Sequence, residues 1–241
     1  MPHISLAAER LGELFGFPIT NALLTTWLVM GIIIGLSLLV TRKLALVPSN
    51  GQSIAELVVG GLYDFFGTVT GKRIGQFFPL LASLFIFIIV ANWVGLLPGV
   101  GTVGIFHEEE FTPLLRGATA DLNTTLALAI VAVLAIQYFG FKSVGHHYSS
   151  RFLNFSSPIY FVLGILEIVS EISKVISFAF RLFGKIFAGE VLLAVMAFLM
   201  PFVVPLPFLM LELFVGFIQA LVFSMLTAVF LGVAVSHGEH E

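Results

Sequence analysis

The sequence predicts an all-α integral membrane protein, and three observations carry that expectation. Hydrophobic residues fill 59% of the 241 positions and charged residues only 10%, whereas soluble domains run at about 45–50% apolar and about 25% charged. The mean hydropathy is +1.08. Five hydrophobic stretches are each long enough to cross a hydrocarbon core of about 30 Å, and one further segment is amphipathic. No stretch between them is long enough for a soluble domain, so 1–241 reads as a single membrane domain.

The first stretch, 19–40, carries no charge and ends at Thr41-Arg42-Lys43. Glu9 and Glu13 precede it where a cleaved leader would be basic, so it reads as a retained span. Segment 52–67 sets Ile54, Leu57, Val58, Leu62, Phe65 and Phe66 at helical spacing, with Lys72 and Arg73 following. It is expected to lie on the membrane surface; the other reading is a short span weakened by Gly60 and Gly61. The second span, 77–97, holds Asn92 and Trp93 near its end and stops at Pro98-Gly99. The third, 122–141, starts beside Asp121 and ends at Lys142.

The last two stretches, 158–200 and 207–236, are joined through Pro201-Phe-Val-Val-Pro-Leu-Pro207, a turn with fixed φ and missing donors. At about 1.5 Å per residue, helix 158–200 would extend roughly 64 Å, about twice the hydrocarbon thickness. Such a helix has to tilt strongly, and its partner across the turn has to follow. The pair is expected to form a long tilted hairpin docked on another protein surface.

Basic residues set the orientation. Arg42, Lys43, Lys72, Arg73, Lys142 and Arg151 fall on one side if odd-numbered spans run inward. Arg10 and Arg116 fall on the other, with Glu9, Glu13 and Glu108-Glu109-Glu110. The positive-inside rule places the N-terminus outside and the C-terminus in the cytoplasm.

Composition also excludes function classes. The chain has no cysteine and a net charge of −3, which leaves no thiol chemistry and no basic surface for nucleic acid. No G-x-x-x-x-G-K-[ST] loop is present, so the chain is not expected to bind ATP. His146, His147, His237 and His240 sit in polar ends without a third ligand at metal spacing, and no cofactor is implied. No nucleophile–base pair suggests an enzyme.

The charges within the hairpin are the informative feature. Glu167, Glu171, Lys174, Arg181, Lys185 and Glu190 all lie in 158–200, although an ionisable residue near the bilayer centre costs about 2.5–3.5 kcal/mol on insertion scales. At 100° per residue the first five share a stripe about 80° wide, with Ser170 and Ser177 at its edge. Glu190 falls on a different face, and Glu212 and Gln219 share a face of the last helix. Glu167, Glu171 and Lys174 also suit a water-exposed helix end with i,i+3 and i,i+4 pairs. Arg181 suits a structural ion pair, although its place in mid-helix is not accounted for by that.

The run Ser177-Phe-Ala-Phe-Arg181-Leu-Phe-Gly184-Lys185-Ile-Phe-Ala188-Gly189-Glu190 resembles the S-x-x-x-R-L-F-G-N-x-x-A-G-E signature of subunit a of bacterial F-type ATP synthases. Further matches are Ile4-Ser5-Leu6, Pro18-Ile19-Thr20-Asn21, Asn92-Trp93-Val94-Gly95-Leu96-Leu97-Pro98-Gly99, Thr119-Ala120-Asp121-Leu122-Asn123-Thr124-Thr125 and Gln219-Ala220-x-x-Phe223. The resemblance implies a proton-translocating stator subunit, not catalytic by itself, in the bacterial plasma (inner) membrane. It implies two half-channels that reach the carboxylates of a c-subunit ring, with Arg181 between them. Its partners would be that ring, the peripheral-stalk b subunits, the rest of the F1Fo complex and membrane lipid. Glu190, Glu212 and Gln219 would line the outer path, and Glu167, Glu171 and Ser170 the inner one. Lys185 stands where the family usually has Asn; it is expected either to pair with Glu212 or Glu190 or to be neutral if buried alone. The competing class is a stand-alone ion-coupled secondary transporter, which would purify without a ring.

Overall fold

A computed structural model describes residues 8–14, 17–42, 44–97, 100, 103–107, 110–145, 148, 158–200 and 203–236. Ile4-Ser5-Leu6, Phe15-Gly16, Lys43, Pro98-Gly99, Glu108-Glu109, His146-His147, Arg151, Pro201-Phe202 and the 237–241 tail lie outside these. Six long helices form the body of the protein: α1 (Asn21–Thr41), α2 (Asn50–Thr70), α3 (Ile74–Gly95), α4 (Leu122–Val144), α5 (Pro158–Leu199) and α6 (Pro205–Ser236). By length and composition five segments are able to cross a membrane, with α2 and α3 together forming one of them. The chain is an all-α, multi-pass membrane protein.

Local chemistry sets the helix ends. Thr20, Ser49 and Asp121 cap α1, α2 and α4 by accepting the backbone N–H of Leu23, Gln52 and Thr124. The amide of Gln52 ties α2 to the preceding loop: it donates to the Ala45 carbonyl at 3.0 Å and to Glu56 Oε1 at 2.7 Å. Gly71 ends α2 at φ +58°, a backbone only glycine adopts readily, and a single 3-10 turn then leads into α3. On α2, Ile54, Leu57 and Val58 are exposed, whereas Phe66 is buried in the main core with Leu62 packed against it, so only the second half of the apolar stripe read from the sequence is covered among the described residues.

The sequence reading had no place for β-structure, yet two short antiparallel hairpins are present. Arg10–Leu14 (β1) pairs with Phe17–Thr20 (β2), and Gly104–His107 (β3) pairs with Glu110–Pro113 (β4). Each pair is separated by only two residues, and strands this short leave no clear alternation to detect. Both stand at one end of the helix bundle.

Helix α6 is the hub, packed against α2, α3, α4 and α5, while α5 lies mainly on α4. The core joins Leu81 and Ile88 of α3, Ala129, Ala132 and Ile136 of α4, Phe178, Ala179 and Leu182 of α5, and Ala220, Phe223, Ala228 and Leu231 of α6. So many alanines at the contacts fit a bilayer, where association depends on close approach rather than on hydrophobicity. Small residues also admit rings: Tyr148 lies on Gly140, where a Cβ would stand 2.6 Å from the ring, and its hydroxyl bonds Gln137 Oε1 at 2.9 Å.

Two glycines near the α2–α3 junction should respond in opposite directions to alanine. Gly71→Ala forces a side chain into the φ +58° backbone and should destabilise by about 1–3 kcal/mol. Gly75→Ala, in open space on α3, should stabilise by about 0.5–1 kcal/mol. Thermal unfolding in detergent reads both, and a destabilising Gly75→Ala or a neutral Gly71→Ala would contradict this description.

Candidate functional site

The residues of the dispersed sequence motifs converge at the end of the bundle where α1, α4 and α6 begin and α3 and α5 end. Asn21, Thr25, Asn92, Arg116, Thr119, Asp121, Glu212 and Gln219 are all buried polar side chains. Such groups are retained inside apolar bundles when they are hydrogen-bonded or functional.

Several contacts build this cluster. Asn92 on α3 donates from Nδ2 to the Gly216 carbonyl of α6 at 2.9 Å and accepts from the Thr119 hydroxyl at 2.7 Å. Gly216 is small because a Cβ there would stand 3.1 Å from the Asn92 Cβ. Trp93 donates its indole N–H to the Leu213 carbonyl at 3.2 Å. The loop before α4 is drawn in by backbone proximity, since a Cβ on Gly95 would meet the Gly117 Cα at 3.0 Å. On α1, Thr25 accepts the backbone N–H of Arg116 at 3.2 Å, and Asn21 donates to the Pro113 carbonyl at 3.4 Å.

The carboxylates enter this cluster from the hairpin. Arg116 Nε lies 3.8 Å from Glu190 Oε2. Glu212 is 5% exposed and rests directly on Gly189, whose missing side chain makes the space: a Cβ there would overlap the Glu212 carboxylate. Glu190 is near enough to act electrostatically on Glu212. Two turns further along α6, Gln219 is fully buried, and among the described residues neither its amide nitrogen nor its oxygen has a hydrogen-bond partner, nor does the hydroxyl of Ser224. An unsatisfied buried amide costs about 1–3 kcal/mol, so stability alone does not explain it. Carboxylates are groups able to relay protons inside a membrane, and an amide beside them can hydrogen-bond water or a carboxyl group.

The Gly189–Glu212 contact, with Phe178 and Phe223 rings 5.1 Å apart, sets the register of the hairpin. Arg181 is thereby level with Gln219 and Ala220. It is half-buried, and its guanidinium donates to Ser177 Oγ at 3.3 Å. Among the described residues no carboxylate stands within ion-pair distance of it, so the structural ion pair considered for Arg181 is not found.

Lys185 requires a correction. It was expected to pair with Glu212 or Glu190, or to be neutral if buried alone, but it is exposed, and among the described residues no ion pair joins it to either carboxylate. The register explains this: Lys185 is level with Gly216, one turn from Glu212, and Glu212 is turned onto Gly189 instead.

At the other end of α5, Lys174 Nζ bonds Glu171 Oε1 at 2.6 Å and stands 4.8 Å from the Phe230 ring centroid. This is the i,i+3 pair anticipated for a helix end. The second Glu171 oxygen is buried without a hydrogen-bond partner among the described residues, Glu167 is half-buried and Ser170 is exposed. Among the described residues no three His, Asp or Glu side chains gather as metal ligands.

Sequence reasoning missed Arg116 as a site residue, counting it only as a loop base. Its position just before the Thr119–Thr125 motif was the available signal. Its burial against Glu190 depends on the Gly95–Gly117 approach, which no local pattern announces.

Comparison with known proteins gives the family. Residues 23–232 match the family described as ATP synthase A chain. A protein named ATP synthase subunit a from Gloeobacter violaceus is 38% identical over 227 residues, covering 92% of this chain and 86% of the relative. Its namesake from Trichlorobacter lovleyi is 37% identical over 214 residues, covering 88% and 85%, and that from Syntrophobacter fumaroxidans is 36% identical over 217 residues, covering 88% and 83%. With a family match over most of its length and relatives this similar, the chain belongs to the ATP synthase A chain family.

Proposed function

We propose that this chain is the proton-translocating stator subunit of a rotary F-type ATP synthase, working against a ring of c subunits and held by peripheral-stalk b subunits. The observation that carries the reading is Arg181: a half-buried guanidinium, midway along a 42-residue apolar helix, with no carboxylate partner among the described residues. A guanidinium stays protonated in any protein environment. In this reading the ionised carboxylate of a ring subunit supplies its counter-charge. The arginine favours deprotonation of that carboxylate as it passes and blocks proton leakage between the two half-channels.

The surface around Arg181 supports a helical partner. Ser170, Ser173, Ser177, Gly184 and Ala188 are all exposed and fall on one stripe beside it at helical spacing. Small residues of this kind let another helix come close inside a membrane. Lys185 is exposed near the same stripe and adds a second cation one turn from Arg181. The outer half-channel runs through Glu190, Glu212 and Gln219, with Arg116 holding Glu190 and the buried amides of Asn21 and Asn92 fixing the walls. The inner half-channel uses Glu167, Glu171 and Ser170. The chain sits in the bacterial plasma membrane with its N-terminus outside, its C-terminus in the cytoplasm and α2 along the membrane surface. The α5–α6 hairpin lies tilted, since α5 at about 1.5 Å per residue exceeds the hydrocarbon thickness. ATP chemistry belongs to other subunits.

Three outcomes are expected. Arg181→Ala should reduce ATP-driven proton pumping in membrane vesicles to background while the complex still assembles; pumping near the wild-type level would sink the proposal. Gly189→Ala should push the Glu212 carboxylate aside and lower pumping about tenfold, equivalent to ~1.4 kcal/mol in the barrier. Adding Glu212→Asp, one methylene shorter, should restore part of it, and an unaffected single variant would argue against a role for that contact. The absence of native cysteine permits single-cysteine labelling, in which Lys72→Cys should react only from the cytoplasmic side and Arg10→Cys only from outside. The reverse pattern would overturn the orientation.

A further inference from the structure

Between Arg181 and the far end of the hairpin from Glu212, charged groups are few. Residues 213–236 of α6 include no Asp, Glu, Lys, Arg or His, and α5 supplies only Glu167, Glu171 and Lys174 before Arg181. Glu171 and Lys174 meet at 2.6 Å, and the ammonium stands 4.8 Å from the centroid of the Phe230 ring. The second carboxylate oxygen, Oε2, is buried and has no hydrogen-bond partner among the described residues. Resting on the proton-translocating role set out above, we propose that Lys174 is a positioning residue of the inner half-channel. Seated on Phe230, it holds Glu171 by Oε1, so that Oε2 exchanges protons with water entering from the cytoplasm.

Burial separates this pair from an ordinary helix-end pair. An exposed i,i+3 pair keeps its carboxylate in water and contributes little. Here the side chains of Lys174 and Glu171 are only 18% and 13% exposed. An ionised oxygen enclosed without a donor is costly, and it is completed by a water molecule or by a proton. A proton path delivers both. Direction supports the same role. At about 100° per residue, Glu171 and Phe178 project within about 20° of each other, and the Phe178 ring packs on Phe223 and Phe230 of α6 at 5.1 and 5.8 Å. Glu171 is thus turned toward α6 and away from the exposed serine stripe. Lys174 projects between the two, within about 20° of Arg181. Its ammonium has two anchors, the carboxylate and the ring, and a ring face attracts a cation in its own right. Two anchors leave the ammonium little freedom, so the carboxylate it holds keeps one orientation. Carboxylates are the groups that relay protons inside membranes, and a relay works best when its reacting atom is held in place.

The test uses membrane vesicles carrying the whole complex, with ATP-driven proton pumping scaled to the amount of assembled complex. Lys174→Gln should lower pumping about tenfold, since a reacting group displaced by about 1 Å can cost that much or more. Lys174→Arg, which keeps the cation, should retain most of the wild-type rate. Glu171→Gln should lower pumping about a hundredfold, the scale of losing a proton-transfer group. The double variant Lys174→Gln with Glu171→Gln removes both charges, so no lone buried charge hinders its assembly. It should assemble and still pump no faster than Glu171→Gln alone, because the lysine acts through the carboxylate. A pair that only stabilises the helix would instead recover near wild-type pumping in the double variant, and that result overturns the proposal. Wild-type pumping by Lys174→Gln, or a Lys174→Arg variant as slow as Lys174→Gln, overturns it as well. Arg181→Ala separates the two levels of the reading. If it pumps normally, the stator role itself fails; if it does not pump while Lys174→Gln pumps normally, only this inference fails.

Discussion

A cation in the middle of an apolar helix must be offset by something, and the organisation of this protein follows from where the offset is found. For Lys174 it is local: Glu171 lies one turn away at 2.6 Å and the Phe230 ring lies beneath the ammonium. For Arg116, in the loop before α4, it is tertiary, supplied by Glu190 of α5. Arg181 has only the Ser177 hydroxyl within the described residues. A permanently charged group in such surroundings is tolerated only if water or another chain completes it. In the proposed function, that unfinished interaction makes the helical bundle one half of an interface.

The glycines near the site act by omission. Gly189 lets the Glu212 carboxylate reach the α5 backbone, Gly216 lets Asn92 reach α6, and Gly95 and Gly117 let two backbones nearly touch. Each missing side chain brings a polar group to a depth that an alanine would deny it. Glu212 and Asn92 of the cluster are thus held by close backbone approach, while Glu190 lies 3.8 Å from Arg116.

Much of this architecture was legible in the residues. The spans stand out because a bilayer demands long apolar helices, and the charged stripe of α5 follows from helical periodicity alone. Three things could not be read. The two β-hairpins have strands of four or five residues, too short for a periodic signal. The partner of Glu212 depends on hairpin register, which is set by contacts such as Phe178–Phe223, and a shift of one turn was enough to make Lys185 the wrong choice. The burial of Arg116 depends on a loop folding inward between α1 and α3, decided by hydrogen bonds to Thr25 and by the Gly95 contact. Each of these is a property of the packed whole.

The central claim is that the stripe of α5 bearing Arg181 faces a carboxylate belonging to another chain. A cryo-electron microscopy map of the intact membrane complex measures this directly. The expected result is a neighbouring helix packed on Ser170, Ser177, Gly184 and Ala188, with its carboxylate within direct or single-water reach of the Arg181 guanidinium. A neighbour packed instead on the adjacent apolar face of α5 formed by Ile165, Val169, Ile172 and Ile176, with Arg181 paired to a carboxylate of its own chain, would contradict the claim.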